Sequence, residues 1–348
     1  MAPDRNTIDA FVKLGKYLTD FCDKCYSNDP EVDQNLKEIV ARAGHHNGWF
    51  TEDNVLFSLQ QWGELLTEQY IKDWLGNYSF QTENEPKTVG IVMAGNIPLV
   101  GFHDFLCVLL SGNKVLAKLS SNDKVLLPYL SNFLIEREPS LADKIEFVDG
   151  KLENFDAVIA TGSNNTGRYF EYYFGKKPNI IRKNRNSVAV LTGNENKEEL
   201  TALGEDIFRY YGLGCRNVSK IYVPNDYDFD GLFNAFFQYR DIINQHKYAN
   251  NYDYNKAVYL MSEFKILDNG FLILKQDESL TSPISALFYS YYDDESTLRK
   301  KLQEIEEHIQ CVVSSEAKEN DVNFGDTQKP SLNDYADGID TMEFLLKL

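Results

Sequence analysis

Apolar residues recur every three to four positions in TIDAFVKLGKYLTDF (residues 7–21) and in TEDNVLFSLQQWGELLTEQYIKDWL (51–75). That is the period of a helix burying one face. Thr51, followed by Asn54, resembles a helix start without a full capping box. Between the two stretches lies HHNGWF (45–50), which reads as a turn. From about residue 88 the texture changes. TVGIVMAG (88–95), NKVLAKLS (113–120), KIEFVDG (144–150), FDAVIATGS (155–163) and SVAVLTG (187–193) are short apolar runs of strand character. IPLVGFHDFLCVLLSG (97–112), DKVLLPYLSNFLIERE (123–138) and NTGRYFEYYFG (165–175) read as the helices between them. Strand and helix in alternation predict a mainly parallel open sheet with helices on both faces. Such sheets bind ligands at the carboxyl ends of their strands, which puts AGNIP, KLSS and TGSNN on the ligand-facing edge.

Beyond residue 195 the alternation resumes. NKEELTALGEDIFRYYG (196–212) reads as a helix, then SKIYVP (219–224), GFLILK (270–275), ISALFYSYY (284–292) and IQCVVSS (309–315) as strands, with helices near 229–244 and 295–309. The expected fold class is therefore α/β, with an N-terminal helical segment and two α/β domains: residues 1–193 for a cofactor and residues 194–348 carrying the chemistry. The tail is irregular until MEFLLKL (342–348), an apolar run expected to dock within the chain or on another subunit.

A net charge of -18 over 348 residues argues against non-specific nucleic-acid binding and against an anionic membrane surface. The longest apolar run is interrupted by Asn96, Pro98, His103 and Asp104, so no membrane span is expected. The N-terminus reads as an amphipathic helix and carries no secretion signal. The expected setting is cytoplasmic. Five scattered cysteines do not form a disulfide framework. Cys22 and Cys25 make one CxxC with no second pair to complete a zinc site, and His45 and His46 have no nearby carboxylate or cysteine partner, so no metal is expected. Cys107 and Cys311 lie in apolar runs and read as core. His103 and His246 are isolated histidines, for which a structural role is the default.

Cys215 differs from these. In YYGLGCRN (210–217) it follows Gly212 and Gly214 and precedes Arg216 and Asn217. Glycines permit unusual backbone angles and close approach, and a neighbouring cation lowers a thiol's pKa. Arg216 either does that or anchors the loop to an acidic neighbour. The pattern marks Cys215 as a candidate nucleophile.

Three stretches, in order, then resemble one family. MAGNIPLVGFHDFLCVLLSGNKVLAKLSS is similar to the aldehyde dehydrogenase segment with an asparagine, an apolar residue and proline, a helix, and G-N-x-V-x-x-K-x-S. IATGSNNTGRYF is similar to that superfamily's T-G-S turn, and GLGCRN falls at the place of its cysteine. Across nearly the whole chain the sequence resembles the acyl-CoA reductases typified by the bacterial bioluminescence fatty-acid reductase. The resemblance implies that Cys215 attacks an acyl thioester of coenzyme A or of an acyl-carrier protein, and that a nicotinamide hydride reduces the acyl-enzyme to an aldehyde. Exchange of one thioester for another is nearly balanced in energy, and a serine ester would be a poorer hydride acceptor. Asn96 is implied as the side-chain donor to the oxyanion, beside the Cys215 backbone N–H; a helix N-cap ahead of Pro98 is its other reading. Lys118 matches the lysine at the cofactor's adenosine ribose. Ser121 stands where NAD-preferring members carry a glutamate that would repel a 2′-phosphate, so NADPH is the expected cofactor. Gly162 and Ser163 match the turn near the cofactor phosphates, with a plain helix cap as the alternative for Ser163.

Two departures accompany the likeness. The glutamate that activates water in aldehyde-oxidising members has no counterpart in IIRKNRNSVAVL (180–191), which favours reduction over hydrolysis. Arg182, Lys183 and Arg185 in that segment face the phosphates of coenzyme A or NADPH or pair with surface carboxylates. The residue that holds the nicotinamide ribose in relatives falls near Ser279, with Glu278 adjacent. A homo-oligomer is expected from the superfamily. Two rival readings stay open: a cysteine acyltransferase or thioesterase without redox chemistry, and a silent nucleotide-binding scaffold.

Overall fold

The structure is a computed structural model that describes residues 4–80, 85–315, 318 and 321–348. The chain forms two compact units, Met1–Lys183 with Ser331–Leu348, and Asn184–Pro330. The sequence placed the division after residue 193 and gave the tail to the second domain. In the structure the strand at Asn186–Val190 pairs inside the second unit, and the tail packs in the core of the first.

The first unit opens with four helices: α1 (Arg5–Tyr26), α2 (Gln34–His46), α3 (Glu52–Leu65) and α4 (Glu68–Leu75). The 51–75 periodicity becomes two helices because Thr51 and Thr67 each cap one, accepting from the N–H of Asn54 and Tyr70. Then follow β1 (Thr88–Val92), α5 (Phe102–Leu110), β2 (Lys114–Lys118), α6 (Leu126–Arg137), β3 (Ile145–Phe147), β4 (Ala157–Thr161), α7 (Asn164–Phe174) and β5 (Asn179–Arg182). The five strands are all parallel, in the order β3-β2-β1-β4-β5. This order winds outward in both directions from β1, which makes the carboxyl ends of β1 and β4 the topological switch point where such sheets open a crevice.

The second unit runs β6 (Asn186–Val190), α8 (Lys197–Phe208), β7 (Val218–Pro224), α9 (Phe229–Phe236), α10 (His246–Met261), β8 (Ile266–Asp268), β9 (Ile273–Gln276), β10 (Ala286–Tyr292), α11 (Glu295–Glu304), β11 (Ile309–Ser314) and β12 (Val322–Asn323). Its sheet is ordered β12-β11-β6-β7-β10-β9-β8, parallel except for the β8–β9 edge. Central strands such as VGIV in β1, AVIA in β4 and SVAV in β6 are near-continuous apolar runs because they are covered on both faces.

The last helix, α12 (Thr341–Leu346), returns to the first unit. Met342 and Leu345 are buried there with Leu332 and Tyr335, so MEFLLKL docks within its own chain. Its entry is fixed by polar contacts: the Tyr78 hydroxyl donates to Asp340 at 2.8 Å, and the Trp74 indole donates to the Tyr335 hydroxyl at 2.8 Å.

Among the described residues no helix is long and apolar enough to cross a membrane, and no group of three or more His, Cys, Asp and Glu could hold a metal. None of the five cysteines, all among the described residues, is in a disulfide. Cys22 is buried, its thiol pushed up to about 12 by burial. Cys107 and Cys311 are core, as expected. His103 is half-buried among the rings of Trp62, Trp74 and Tyr335, with Nε2 at 3.1 Å from the Leu332 carbonyl.

Candidate functional site

The first unit carries its candidate residues at the carboxyl ends of β1, β2 and β4. Asn96 lies in the loop after β1 and is exposed. It is not the cap of α5: that helix starts at Phe102, with Gly101 at the cap position and no side-chain cap bond. The helix begins late because the chain turns at Pro98 and Leu99, the latter at φ 57°. This loop is fastened from several sides. The Asn47 side-chain amide donates to the Gly95 carbonyl at 3.3 Å, the Ser58 hydroxyl donates to the Pro98 carbonyl at 3.1 Å, and the Leu99 N–H donates to Asp123 Oδ2 at 3.0 Å. Asn47 belongs to HHNGWF, so that motif serves the loop structurally, while His45 and His46 end α2 in exposed positions. A Cβ at Gly95 would overlap Ser120 Oγ; only glycine lets these two loops approach so closely.

Lys118 is the last residue of β2 and half-buried, and its carbonyl accepts from the Met93 N–H at 3.0 Å. Ser121 is exposed in the turn beyond it. Gly162 follows β4, its N–H donating to the Arg182 carbonyl at 3.3 Å. Ser163 is the N-cap of α7, accepting from the Thr166 N–H at 3.2 Å. The helix-cap reading of Ser163 is thus realised, and the cap leaves the first turn of α7 presented at the switch-point end of the sheet. Asp123, which sequence reasoning passed over, is buried and pushed up to about 6 by burial; its Oδ1 meets no hydrogen-bond donor among the described residues.

The basic segment is committed elsewhere. Arg182 is buried and grips Asp104, also buried, at 2.5 and 2.9 Å, and donates to Thr341 Oγ1 at 2.9 Å. It faces neither a phosphate nor a surface carboxylate, because β5 points it inward onto α5. Lys183 pairs with Glu171 at 2.8 Å on the surface, and Arg185 donates to the Ile309 carbonyl at 3.3 Å.

In the second unit Cys215 is exposed, in the turn between α8 and β7. It sits where β6 and β7 begin, at the amino end of its sheet rather than the carboxyl end. The approach to it is unusual: Tyr210, Tyr211 and Gly212 have φ of 54°, 59° and 76°. Two consecutive tyrosines in the left-handed region carry a cost that only firm surroundings sustain. Those surroundings are visible. The Gly214 N–H donates to Asn217 Oδ1 at 2.8 Å, and Asn217 Nδ2 donates to the carbonyls of Asp206 and Arg209 at 3.0 and 2.8 Å. The Ser187 hydroxyl donates to the Cys215 carbonyl at 3.0 Å. Arg216 donates through Nε to the Thr327 carbonyl, so it is a loop anchor whose partner is a carbonyl and not an acidic side chain.

The 277–282 loop is laced to the same two strands. Asn186 Nδ2 donates to Thr281 Oγ1 at 2.9 Å, and the Ser219 hydroxyl donates to the Leu280 carbonyl at 2.7 Å. Lys220, fully buried, donates to the Asp277 carbonyl and to Ser290 Oγ. Burial pushes Lys220 down to about 8 against the pull of Glu278 and Asp277. Glu278 itself is largely exposed, accepting from Ser290 Oγ at 3.2 Å and lying 3.4 Å from Lys301. A lysine inside SKIYVP, a run otherwise of strand character, was the signal that could have found Lys220.

A family model described as acyl-CoA reductase (LuxC) matches residues 19–231. The chain is similar in fold to an indole-3-acetaldehyde dehydrogenase solved with NAD+ (TM-score 0.64, 11% identity, 88% of this chain and 72% of that one). It is also similar to an aldehyde dehydrogenase of Mycobacterium tuberculosis solved with NAD+ (TM-score 0.61, 13% identity, 92% and 80%). A third likeness is to aldehyde dehydrogenase 21 of Physcomitrella patens, solved with succinate (TM-score 0.63, 13% identity, 88% and 76%). No curated protein sequence matches the chain.

Proposed function

The chain belongs to the acyl-CoA reductase (LuxC) family, an oxidoreductase family acting on acyl groups, and from that premise we propose that it reduces an acyl thioester to an aldehyde with NADPH, using Cys215 as nucleophile. The observation that carries the assignment of Cys215 is its exposure within a turn whose neighbours are all fixed: Gly214, Arg216, Asn217 and its own carbonyl each hold a hydrogen bond. A nucleophile needs that combination of an accessible atom on an immobile backbone.

The Cys215 thiolate attacks the acyl carbon, the bond to the sulfur of coenzyme A or of a carrier protein breaks, and the departing thiolate takes up a proton. The acyl group is then a thioester of Cys215. Negative charge develops on the acyl oxygen in each addition, and the Cys215 backbone N–H and the Asn96 amide are the proposed donors; one such donor is typically worth about 3 kcal/mol in rate. NADPH, when bound, supplies the hydride that turns the acyl carbon into an aldehyde carbon, and Cys215 leaves as thiolate.

The residues at the switch point fit a dinucleotide. The 3-2-1-4-5 strand order, the glycine-dependent approach at Gly95 and the capped first turn of α7 suit a pyrophosphate. Lys118 would hold the adenosine ribose end, with Gly162 and Ser163 at the phosphates. Exposed Ser121 leaves room and no negative charge for a 2′-phosphate. The NAD+ complexes of the fold relatives support a nicotinamide cofactor. We propose a cytoplasmic homo-oligomer.

The test is NADPH consumption by the purified protein across acyl-CoA thioesters of increasing length, with Cys215→Ala beside it. The reading expects oxidation that requires both an acyl-CoA and Cys215. Release of coenzyme A with no NADPH consumed would replace it with a thioesterase or acyltransferase.

A further inference from the structure

Asp206 is completely buried in the last turn of α8 and plays no part in the chemistry described above. Its carboxylate gathers a distant loop. Oδ2 accepts from the Gly325 N–H at 2.7 Å, and Oδ1 accepts from the Thr327 N–H at 3.0 Å and the Thr327 hydroxyl at 2.8 Å. The loop is seated closely: Gly325 has φ 87°, and a Cβ there would lie 3.1 Å from the Cβ of Ala202, one turn back on the same helix. From this loop the buried Thr327 presents its carbonyl to Arg216 Nε. The backbone carbonyl of Asp206 meanwhile accepts from Asn217 Nδ2, whose Oδ1 holds the Gly214 N–H. Both neighbours of Cys215 in the chain therefore trace back to one residue, Gly214 through Asn217 and Arg216 through Thr327.

We propose that Asp206 is the positioning residue of the Cys215 turn, acting through the 325–327 loop and Arg216, and that the turn is held in its reactive form only while the Asp206 carboxylate is ionised. An ionised carboxylate binds two amides and a hydroxyl about twice as strongly as a neutral acid does, and a neutral acid brings a proton into a site already filled with donors. Asp206 titrates in an accessible range, since burial pushes it up to about 6 against those three donors. The groups facing it are few. Asp326 on the loop pushes the same way, Tyr239 lies on the 3-10 turn packed against α8, Glu205 on its own helix pairs with Arg209 just beyond the helix end, and Arg216 comes from the turn itself. Acid thus neutralises the clamp before it reaches ordinary surface carboxylates.

The proposal rests on Cys215 being the nucleophile, and the test needs neither acyl-CoA nor NADPH. The full-length protein is alkylated with iodoacetamide between about pH 5 and pH 8, and the Cys215 peptide is followed by mass spectrometry. Well below its own pKa, a thiol in a fixed environment loses about one log unit of rate per pH unit as thiolate is lost. The expected wild-type plot falls more steeply below about pH 6, ending about tenfold under the line extrapolated from higher pH. Asp206→Asn should lie about tenfold below wild type at neutral pH and show no bend, while Asp206→Glu keeps the bend. Thr327→Val, which removes one donor and leaves the backbone, should move the bend to higher pH and serves if Asp206→Asn does not fold. A straight wild-type plot, or a bend that survives in Asp206→Asn or stays in place in Thr327→Val, overturns the proposal. A bend found in a protein that consumes no NADPH with any acyl-CoA would uphold the clamp and defeat the reductase reading instead.

Discussion

The two units bury charge in different ways. In the first, Arg182 and Asp104 meet in a bidentate ion pair with Thr341 as a further acceptor, and both stay enclosed. In the second, Asp206 and Lys220 are completely buried with backbone groups and hydroxyls as their hydrogen-bond partners. The ion pair joins β5, α5 and the C-terminal helix and is a fastening. The other two charges lack that compensation, so burial moves them toward neutrality, to about 6 and about 8. One holds the Cys215 turn and the other the 277–282 loop beside it. Asp123, the first unit's buried carboxylate at about 6, follows the same pattern, since it supports the loop of Asn96. Buried charges without a matched partner are often found near chemistry, while the matched pair here holds structure.

The largest expected effect breaks the fastening. Arg182→Met or Asp104→Asn alone should cost about 3–5 kcal/mol, and the double replacement Arg182→Met with Asp104→Leu should recover most of it. Urea unfolding reads this, and single losses under about 1 kcal/mol would remove the contrast. Next, Asn96→Ala should lower kcat by about a hundredfold to a thousandfold with KM little changed, the signature of a lost oxyanion donor. A loss confined to KM would return Asn96 to a loop residue.

Lys220 sharpens the contrast through pH. Its folded value of about 8 lies below the ordinary 10.5, so between those values the unfolded chain binds more protons and stability rises with pH. Wild type should gain up to about 3 kcal/mol relative to Lys220→Met across that window. Equal stability profiles for the two proteins would show that Lys220 is not buried as a charge. The smallest effect concerns the cofactor: Ser121→Glu should raise KM for NADPH by about tenfold and spare NADH, through like-charge repulsion of the 2′-phosphate. An unchanged NADPH preference would move that discrimination away from Ser121.

The alternation of strands and helices was legible because its periods are local, and Cys215 stood out by its glycine and arginine neighbours; Asn96, Lys118, Ser121, Gly162 and Ser163 were named only through the family resemblance. Three elements were harder. β5 is a four-residue strand ending in Arg182 and followed by a basic run, which hides its pattern. α10 buries Tyr248, Tyr252 and Tyr259 while exposing Tyr254, Val258 and Met261, so it shows no single apolar face to read. The supports of the Cys215 turn were illegible for a different reason. Ser187 lies 28 residues before Cys215, and Thr327 lies 121 residues after Asp206. No local pattern announces a contact across such distances; only the fold brings them together.

The central claim is that Cys215 carries the acyl group. The most direct measurement is intact-protein mass after incubation with an acyl-CoA in the absence of nicotinamide, followed by peptide mapping and then by addition of NADPH. The account predicts one acyl group per chain, on Cys215, with coenzyme A released, and its removal as aldehyde when NADPH is added. An acyl group on another residue, or aldehyde formed by the Cys215→Ala protein, would contradict it.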